Sequence, residues 1–460
     1  MNPAPKGVLR RIGVLSVALA CASGVTAACS SSTSSTTSAT PPSGTASGTP
    51  SASSAPAAQG TFGDLGRICE PASSSATSAS AGGRGLTGST IRIGVLADPS
   101  VEGLDVEYWQ TAKAFAAWCN AAGGINGRKV VLDLRDAALV NVAAQVTDAC
   151  QSDFMLVGGG NPEDAAGVQP RLACKLGAVW ADESSTQAID APLQVAPTVS
   201  SFDWLQTGPF RLLAKKYPSA IEHLGAGGPN QPQLLAQAQL QVKAAEAVGY
   251  KLVNFQAVDT TTTSFQPYVQ SSMNAGVKVL LPSANGELME PYLQAISDIG
   301  YSPDAMLLAP YFYVPQTVAA AKSAPVPPTW IYLSYWPLEL ASQNPATQQA
   351  IDMIKPYGTN GAVDLTNIMA LDSWLLWAKS ASACGSNLTS ACILAKAGTE
   401  PSWTAGGLAA PVNTNPAVKK PSDCIVMLKL TSSGFEYDRS MTEPTQSIYN
   451  CNPSNVVKEP

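Results

Sequence analysis

The chain reads as α/β, with parallel sheets assembled in two successive series. Three observations carry that reading. Short apolar runs alternate with longer segments whose apolar residues recur at helical spacing. Strand–helix–strand order of this kind imposes parallel pairing with right-handed crossovers. The length beyond the N-terminal leader is enough for two lobes.

The first series opens with a buried strand at 91–96. Tyr108, Ala112, Phe115, Cys119 and Ala122 then mark the core face of a helix. Gly123-Gly124 stops that helix, because glycine takes the left-handed C-cap conformation without steric cost. Asn126-Gly127 reverses the chain into a strand at 130–134. A helix at 140–150 leads to a strand at 154–157, which ends in Gly158-Gly159-Gly160-Asn161. A helix to Leu176 and a strand at 178–181 follow, ending in Asp182-Glu183-Ser184-Ser185. The second series begins near 206, with strands at 220–225, 251–257 and 277–281. Helices at 231–248, 264–274 and 287–299 alternate with them. Strands at 305–309 and 330–333 read as a return to the first lobe. A long helix at 364–381 carries Ile368, Leu371, Trp374, Leu375 and Ala378, and late strands include 425–430.

The N-terminus is a targeting segment. Lys6, Arg10 and Arg11 precede an apolar run too short to span a membrane as a mature helix. Thr26-Ala27-Ala28-Cys29 has the form of a lipobox, with Cys29 preferred over Cys21 as the lipidated residue. A Ser/Thr/Ala/Pro/Gly-rich stretch follows and reads as a flexible tether. The formal net charge is −6, and loss of residues 1–28 removes three basic groups and no acids. An acidic chain without a basic run argues against nucleic acid and a polybasic membrane patch.

Beyond Cys21 and Cys29, eight cysteines remain in an exported chain, which favours disulfides. Cys384–Cys392 closes a short loop, Cys424–Cys451 ties the last strands, and Cys150–Cys174 joins successive helices. Cys69–Cys119 is left by elimination. Sequence alone does not fix this connectivity. The single histidine, His223, and the absence of a CxxC pair leave no zinc-type metal site. No GxSxG, HExxH, P-loop or dinucleotide fingerprint occurs, so neither an enzyme nor a cofactor is indicated.

Ligands of open α/β sheets sit at the carboxyl ends of strands. Gly160 and Asn161 occupy one such end, and Glu183, Ser184 and Ser185 another. Asn230 and Asn285 are the counterparts in the second series, with Tyr311 and Tyr313 as an aromatic wall and Trp109 as a weaker candidate of that kind. Asn161, Asn230 and Asn285 serve equally as turn or capping residues.

The order strand, helix, GGINGRK, strand at 91–134 resembles the opening of the leucine/isoleucine/valine-binding family of extracytoplasmic solute-binding proteins. The lipobox, the leader GSTIRIGV at 88–95 and FQPYV at 265–269 support it. The resemblance implies a bilobal periplasmic-binding-protein type I fold, two doubly wound lobes joined by hinge crossovers. The expected organisation is signal 1–28, tether 29–87, first lobe 88–206, second lobe 207–304, first-lobe return 305–360, and a closing helix with a disulfide-tied segment 361–460. The implied function is capture of a small polar solute (amino-acid-like, amide or amine) by hinge closure. The partners would be an ABC transporter permease and the membrane, reached through the lipid anchor of a monomer. Family members use hydroxyl-bearing residues after the third and fourth strands. Here Gly160-Asn161 and an acidic pair before two serines stand there, and Asp182 or Glu183 suits a ligand ammonium. A sensing lipoprotein without a transporter and an exported hydrolase are the competing classes.

Overall fold

The computed structural model describes residues 59–72, 83–101, 104–259, 261–284, 286 and 288–459. Cys21, Cys29 and Asn285 lie outside the described residues. The first series is β1 (Thr90–Ala97), α1 (Val106–Ala121), β2 (Lys129–Asp136), α2 (Val142–Ser152), β3 (Met155–Val157), α3 (Ala165–Ala173), β4 (Gly177–Val179), α4 (Thr186–Ile189) and β5 (Gln194–Val195). Its strands form one parallel sheet in the order β2-β1-β3-β4-β5.

The second series is β6 (Trp204–Gln206), α5 (Gly208–Lys216), β7 (Leu224–Pro229), α6 (Pro232–Glu246), β8 (Leu252–Val258), α7 (Gln266–Asn274), β9 (Val279–Leu280), α8 (Met289–Ile299), β10 (Ala305–Leu308), α9 (Pro315–Ser323) and β11 (Thr329–Leu333). Then come α10 (Pro345–Ile354), α11 (Leu365–Cys384), α12 (Ser390–Ala397), β12 (Cys424–Thr431), β13 (Gly434–Tyr437), α13 (Arg439–Thr442), β14 (Asn450–Cys451) and β15 (Val456–Lys458). The second sheet runs β13-β12-β11-β10-β9-β7-β8. Strands β7 to β11 are parallel and repeat the first sheet's order, while β12 and β13 add antiparallel edges. Each sheet therefore has a switch point, between β1 and β3 in one and between β7 and β9 in the other.

The GGINGRK turn forms as its residue types require. Ile125 and Arg128 exchange backbone hydrogen bonds of 2.9 and 3.0 Å, and Gly123, Gly124, Asn126 and Gly127 all have positive φ. A side chain at Gly124 would meet the Arg128 carbonyl at 2.1 Å. The leader lies over the turn: Glu70 N–H donates to Gly124, and Gly127 N–H donates to Glu70.

That leader corrects the expected tether, because residues 59–72 and 83–87 belong to the body. Phe62 is fully buried with its ring edge-on to Trp118 at 6.4 Å, and Cys69 is bonded to Cys119. Arg84 donates to the carbonyls of Asp153, Cys150 and Cys174. A few anchors fix a stretch whose average composition reads as tether. The other disulfides join Cys150–Cys174, Cys384–Cys392 and Cys424–Cys451.

Two further readings are corrected. The strand expected at 220–225 is β7, which starts later, at Leu224, as the first strand of the second sheet, and His223 immediately precedes it. Gly227 and Gly228, expected to follow that strand, are strand residues together with Gly225. A Cβ at Gly225 would strike Val277 at 2.6 Å, and one at Gly227 would strike Ser283 Oγ at 2.2 Å, so close packing demands glycine there. The strands at 305–309 and 330–333 do not return to the first lobe. As β10 and β11 they continue the second sheet in parallel register. The return is made by helices: α10 and α11 pack on α1, and α11 and α12 lie on β4. Trp374 and Trp377 are fully buried on α11, and Trp374 stacks on Phe115 at 5.0 Å.

The chain passes between the sheets after β5, after β11 and before β12. The last two passages pair, Trp336 N–H donating to Leu408 and Ala410 N–H to Ser334, each at 2.7 Å. The Tyr335 hydroxyl ties in the first passage through Thr198 at 2.6 Å and donates to Asp372 at 2.9 Å. Trp403 donates to the other Asp372 oxygen at 2.5 Å. Burial pushes Asp372 up to about 7.

Candidate functional site at the facing switch points

At the first switch point, Asp98 follows β1 and accepts from Leu139 N–H at 2.7 Å and from the Asn161 amide at 2.6 Å. Asn161 is buried, and its carbonyl oxygen accepts Glu163 N–H at 2.6 Å. Both ends of this amide thus join the loops after β1 and β3. Gly160 allows a close approach: a Cβ there would lie 3.0 Å from the Tyr108 hydroxyl and 3.3 Å from Asp182 Cβ.

The segment after β4 divides. Asp164 accepts Ser184 N–H at 2.7 Å and Ser185 N–H at 3.1 Å, and Ser185 Oγ caps α4 by accepting Ala188 N–H at 3.1 Å. Glu183 turns inward. Its carboxyl accepts from Gln194, whose own oxygen accepts from Arg171 and from Trp180 Nε1. A small recess beside this network is walled by Val142, Val146, Val168 and Trp180. Burial, then Asp164 and Asp182, push Glu183 up to about 8 against Arg171.

Asp182 is the member of the pair that faces the switch point. Burial and then Asp164 raise it to about 6. Asp105 before α1 is close to it, Glu107 is close to Asp105, and Asp364 at the N-cap of α11 is close to Glu107. Asp105 is held well above the usual carboxylate range by burial and by Asp98, Asp182 and Glu107. Asp364 is raised to about 7 by burial and by Glu107, although it caps α11. Among the described residues, no group of three or more His, Cys, Asp or Glu side chains is placed to hold a metal ion.

At the second switch point the described residues at the ends of β7 and β9 are polar and uncharged. Asn230 is exposed at the end of β7, its N–H donating to Val258 at 2.7 Å, and Ser283 is buried after β9. Tyr311 is half exposed, lies on Phe312 at 4.7 Å, and borders a recess with Gly227, Gln241 and Leu281. Tyr313 is in the core instead, donating to Glu339, accepting Leu338 N–H at 2.9 Å and packing on Phe435 at 5.0 Å. The two tyrosines expected to form one wall are therefore separated. Trp109 donates to the Val95 carbonyl at 3.1 Å. Gln233, in the first turn of α6, donates to Glu163 at 3.1 Å and brings the two edges together.

Sequence reading missed Asp105, Tyr108 as a polar group, Asp364 and Gln233. A signal existed for the first: Asp98, Asp105 and Glu107 follow the end of β1 closely. For Asp364 and Gln233 the contacts are long-range, and no local pattern marks them.

Two doubly wound sheets in one repeated order, linked by three passages and meeting at their switch points, define a bilobal solute-binding fold of type I. A family model described as periplasmic binding protein matches residues 90–435, and the chain belongs to that family. The family is extracytoplasmic, and its members bind solutes rather than transform them. Among the described residues no helix is long and apolar enough to cross a membrane. No curated protein matches the chain. Among solved structures it is similar to a fatty acid ABC transporter substrate-binding protein from Thermomonospora curvata (16% identity, 78% of this chain and 93% of that one, TM-score 0.62). It is also similar to a branched-chain amino acid ABC transporter protein from Thermus thermophilus with bound valine (14%, 76% and 96%, 0.63). A third is a solute-binding protein from R. palustris in complex with 4-hydroxybenzoate (16%, 76% and 95%, 0.62). At these identities the likeness is one of fold.

Proposed function

We propose that the protein captures a small polar solute (amino-acid-like, amide or amine) between its two lobes and presents it to an ABC transporter permease. It works as a monomer anchored through a lipid on Cys29. The observation that carries this reading is the Glu163–Gln233 bond, which joins the edges of two switch points of like topology. Asp182, Glu183 and Ser184, with Gly160 and Asn161, form the first-lobe side, and Ser185 supports it by capping α4; Asn230, Asn285 and Tyr311 form the second, with Tyr313 supporting it from the core. The open form binds solute on the first lobe, and the second lobe adds contacts that exist only when closed. Differential affinity for the closed form is what shifts the equilibrium. The three tied passages at Thr198, Tyr335 and Ala409 are the hinge.

A thermal-unfolding screen against amino acids, amines, amides, sugars and small acids tests this. A solute that binds only the folded chain stabilises it by about 2.7 kcal/mol at about a hundredfold excess over Kd. A midpoint rise confined to one chemical class supports capture. A well-folded protein that responds to none of them contradicts it.

A further inference from the structure

The two sheets end in equivalent strands that differ in charge. Strand β2 is the edge beside β1, and β8 is the edge beside β7. Strand β2 reads Lys-Val-Val-Leu-Asp-Leu-Arg-Asp, and its charges are engaged within the chain. Asp133 pairs with Arg92 at 2.6 Å and Arg135 with Asp153 at 2.5 Å. Charge on an edge strand guards it against pairing with another chain. Strand β8 reads Leu-Val-Asn-Phe-Gln-Ala-Val, without a charge or a proline. Val253 is 41% exposed, and Ala257 is exposed as well.

The backbone of β8 has one side to offer. Val258 accepts the Asn230 N–H just after β7, and Gln256 and Asn254 stand opposite Gly227 and Gly225 in the same ladder. Peptide groups of alternate residues in a ladder point to opposite sides. Val258, Gln256 and Asn254 turn theirs to β7, so Val253, Phe255 and Ala257 turn theirs outward. The side chains between them are held against the body. Gln256 donates to the Tyr268 carbonyl at 3.0 Å and to Ser272 at 2.9 Å, and Asn254 donates to Ser271 at 3.2 Å. Phe255 packs on the core of its lobe.

The order of residues names the occupant. Turned about a two-fold axis at Phe255, β8 meets itself antiparallel. Phe255 then faces its own copy, Asn254 faces Gln256, Val253 faces Ala257 and Leu252 faces Val258. Just outside the strand, Lys251 faces Asp259, so opposite charges close both ends. Both residues are exposed. Lys251 pairs in its own chain with Glu222, which is half exposed, and such a surface pair is weak enough to exchange. Asp259 is held by Thr261 through Oδ1. The neighbouring registers that keep the outward groups in line set Lys251 or Asp259 against Phe255 instead.

We propose that β8 is a self-association edge, where a second copy of the chain pairs β8 to β8, antiparallel about Phe255, into one continuous sheet. Lateral pairing of one short strand buries less than a standard interface, so the association is weak and needs the local density that a membrane anchor creates. In the pair the carboxyl edges face opposite ways. Both clefts stay open to solute, yet one permease meets only one of them. The monomer is thus the presenting form and the pair a resting one. The inference goes beyond solute capture and does not depend on which solute the cleft takes.

Sedimentation equilibrium of the purified protein over a rising concentration series tests the pairing. The weight-average mass should climb from monomer toward dimer. Ala257→Pro removes an outward N–H and no bond to β7. One hydrogen bond is lost from each copy, so Kd should rise about tenfold or more. Val253→Lys with Ala257→Lys sets like charges face to face and should keep the chain monomeric. Val253→Lys with Ala257→Glu sets opposite charges together in the same register and should restore the dimer. Both positions are exposed, so thermal midpoints should stay near that of the parent chain and show that each variant folds. Hydrogen exchange at high concentration should slow the amides of Val253, Phe255 and Ala257 and leave that of Asn254 unchanged. A monomer throughout the series overturns the proposal. So does a dimer that survives both disruptive variants, or a well-folded Lys/Glu variant that stays monomeric.

Discussion

The two parallel sheets share one strand order and differ in what their carboxyl edges carry. The first ends in acids: Asp98 after β1, Asp105 and Glu107 at α1, Asp182 after β4. At the switch point of the second, the described residues are glycine, amide and hydroxyl groups, Gly227, Asn230 and Ser283, and the acid Asp259 stands exposed after the neighbouring β8. Identical topology with opposite chemistry shows that the fold sets where a ligand can lie, while loop residues set what it is. Burial and neighbouring acids raise Asp105 and Asp182 on the first edge above the ordinary carboxylate range.

The comparison breaks most severely through α11, which packs on α1 and β4 of the first lobe. Trp374→Ala should cost about 3–5 kcal/mol by leaving a cavity against Phe115 and Gly158. Denaturant unfolding followed from each lobe would show whether the second loses stability with it. Next in size is the response to pH. Asp182, Glu183, Asp364 and Asp372 are raised to about 6, 8, 7 and 7, each chiefly by burial. The folded chain therefore holds protons that the unfolded chain has released above its ordinary carboxylate range. Unfolded-state proton release means that stability is highest near the unfolded value of about 4 and falls as pH rises toward about 8. Calorimetric midpoints should decline across that window and level off above it. Asp372→Asn, which keeps partners for Tyr335 and Trp403 without a carboxylate, should flatten part of the decline.

Legibility followed the range of the interactions. The turn at 123–128 was readable because glycine and Asn-Gly act through local backbone sterics, and its residues adopt the positive φ they imply. Alternation of strands and helices gave both parallel series for the same reason. Strand β7 was misplaced because its glycines answer to Val277 and Ser283, far along the chain. The leader was read as tether because Phe62 and Ile68 are few among small residues; the Cys69–Cys119 pairing that anchors it was read from the cysteines and is present, while the buried ring of Phe62 was not foreseen. At the site, Glu183 and Ser185 were singled out by position, but the structure commits Ser185 Oγ to capping α4 and Glu183 to Gln194. Strand ends are visible in sequence; the direction of a side chain at a strand end is not.

Smaller effects sharpen the division of labour after β4. Ser185→Ala should cost about 1 kcal/mol, the ordinary value of a helix cap, and leave solute affinity unchanged in calorimetry. Glu163→Ala removes the bond from the first edge to Gln233 and should weaken binding through faster release, by about 1 kcal/mol. Stopped-flow displacement would separate release from association.

Capture between the two edges is most directly tested by hydrogen exchange with and without the solute that the screen returns. Amides in segments 158–163 and 182–185 of the first lobe and 229–234 of the second should slow together when it is added. Slowing confined to the first lobe, with 229–234 unchanged at saturating solute, would contradict closure of one edge upon the other.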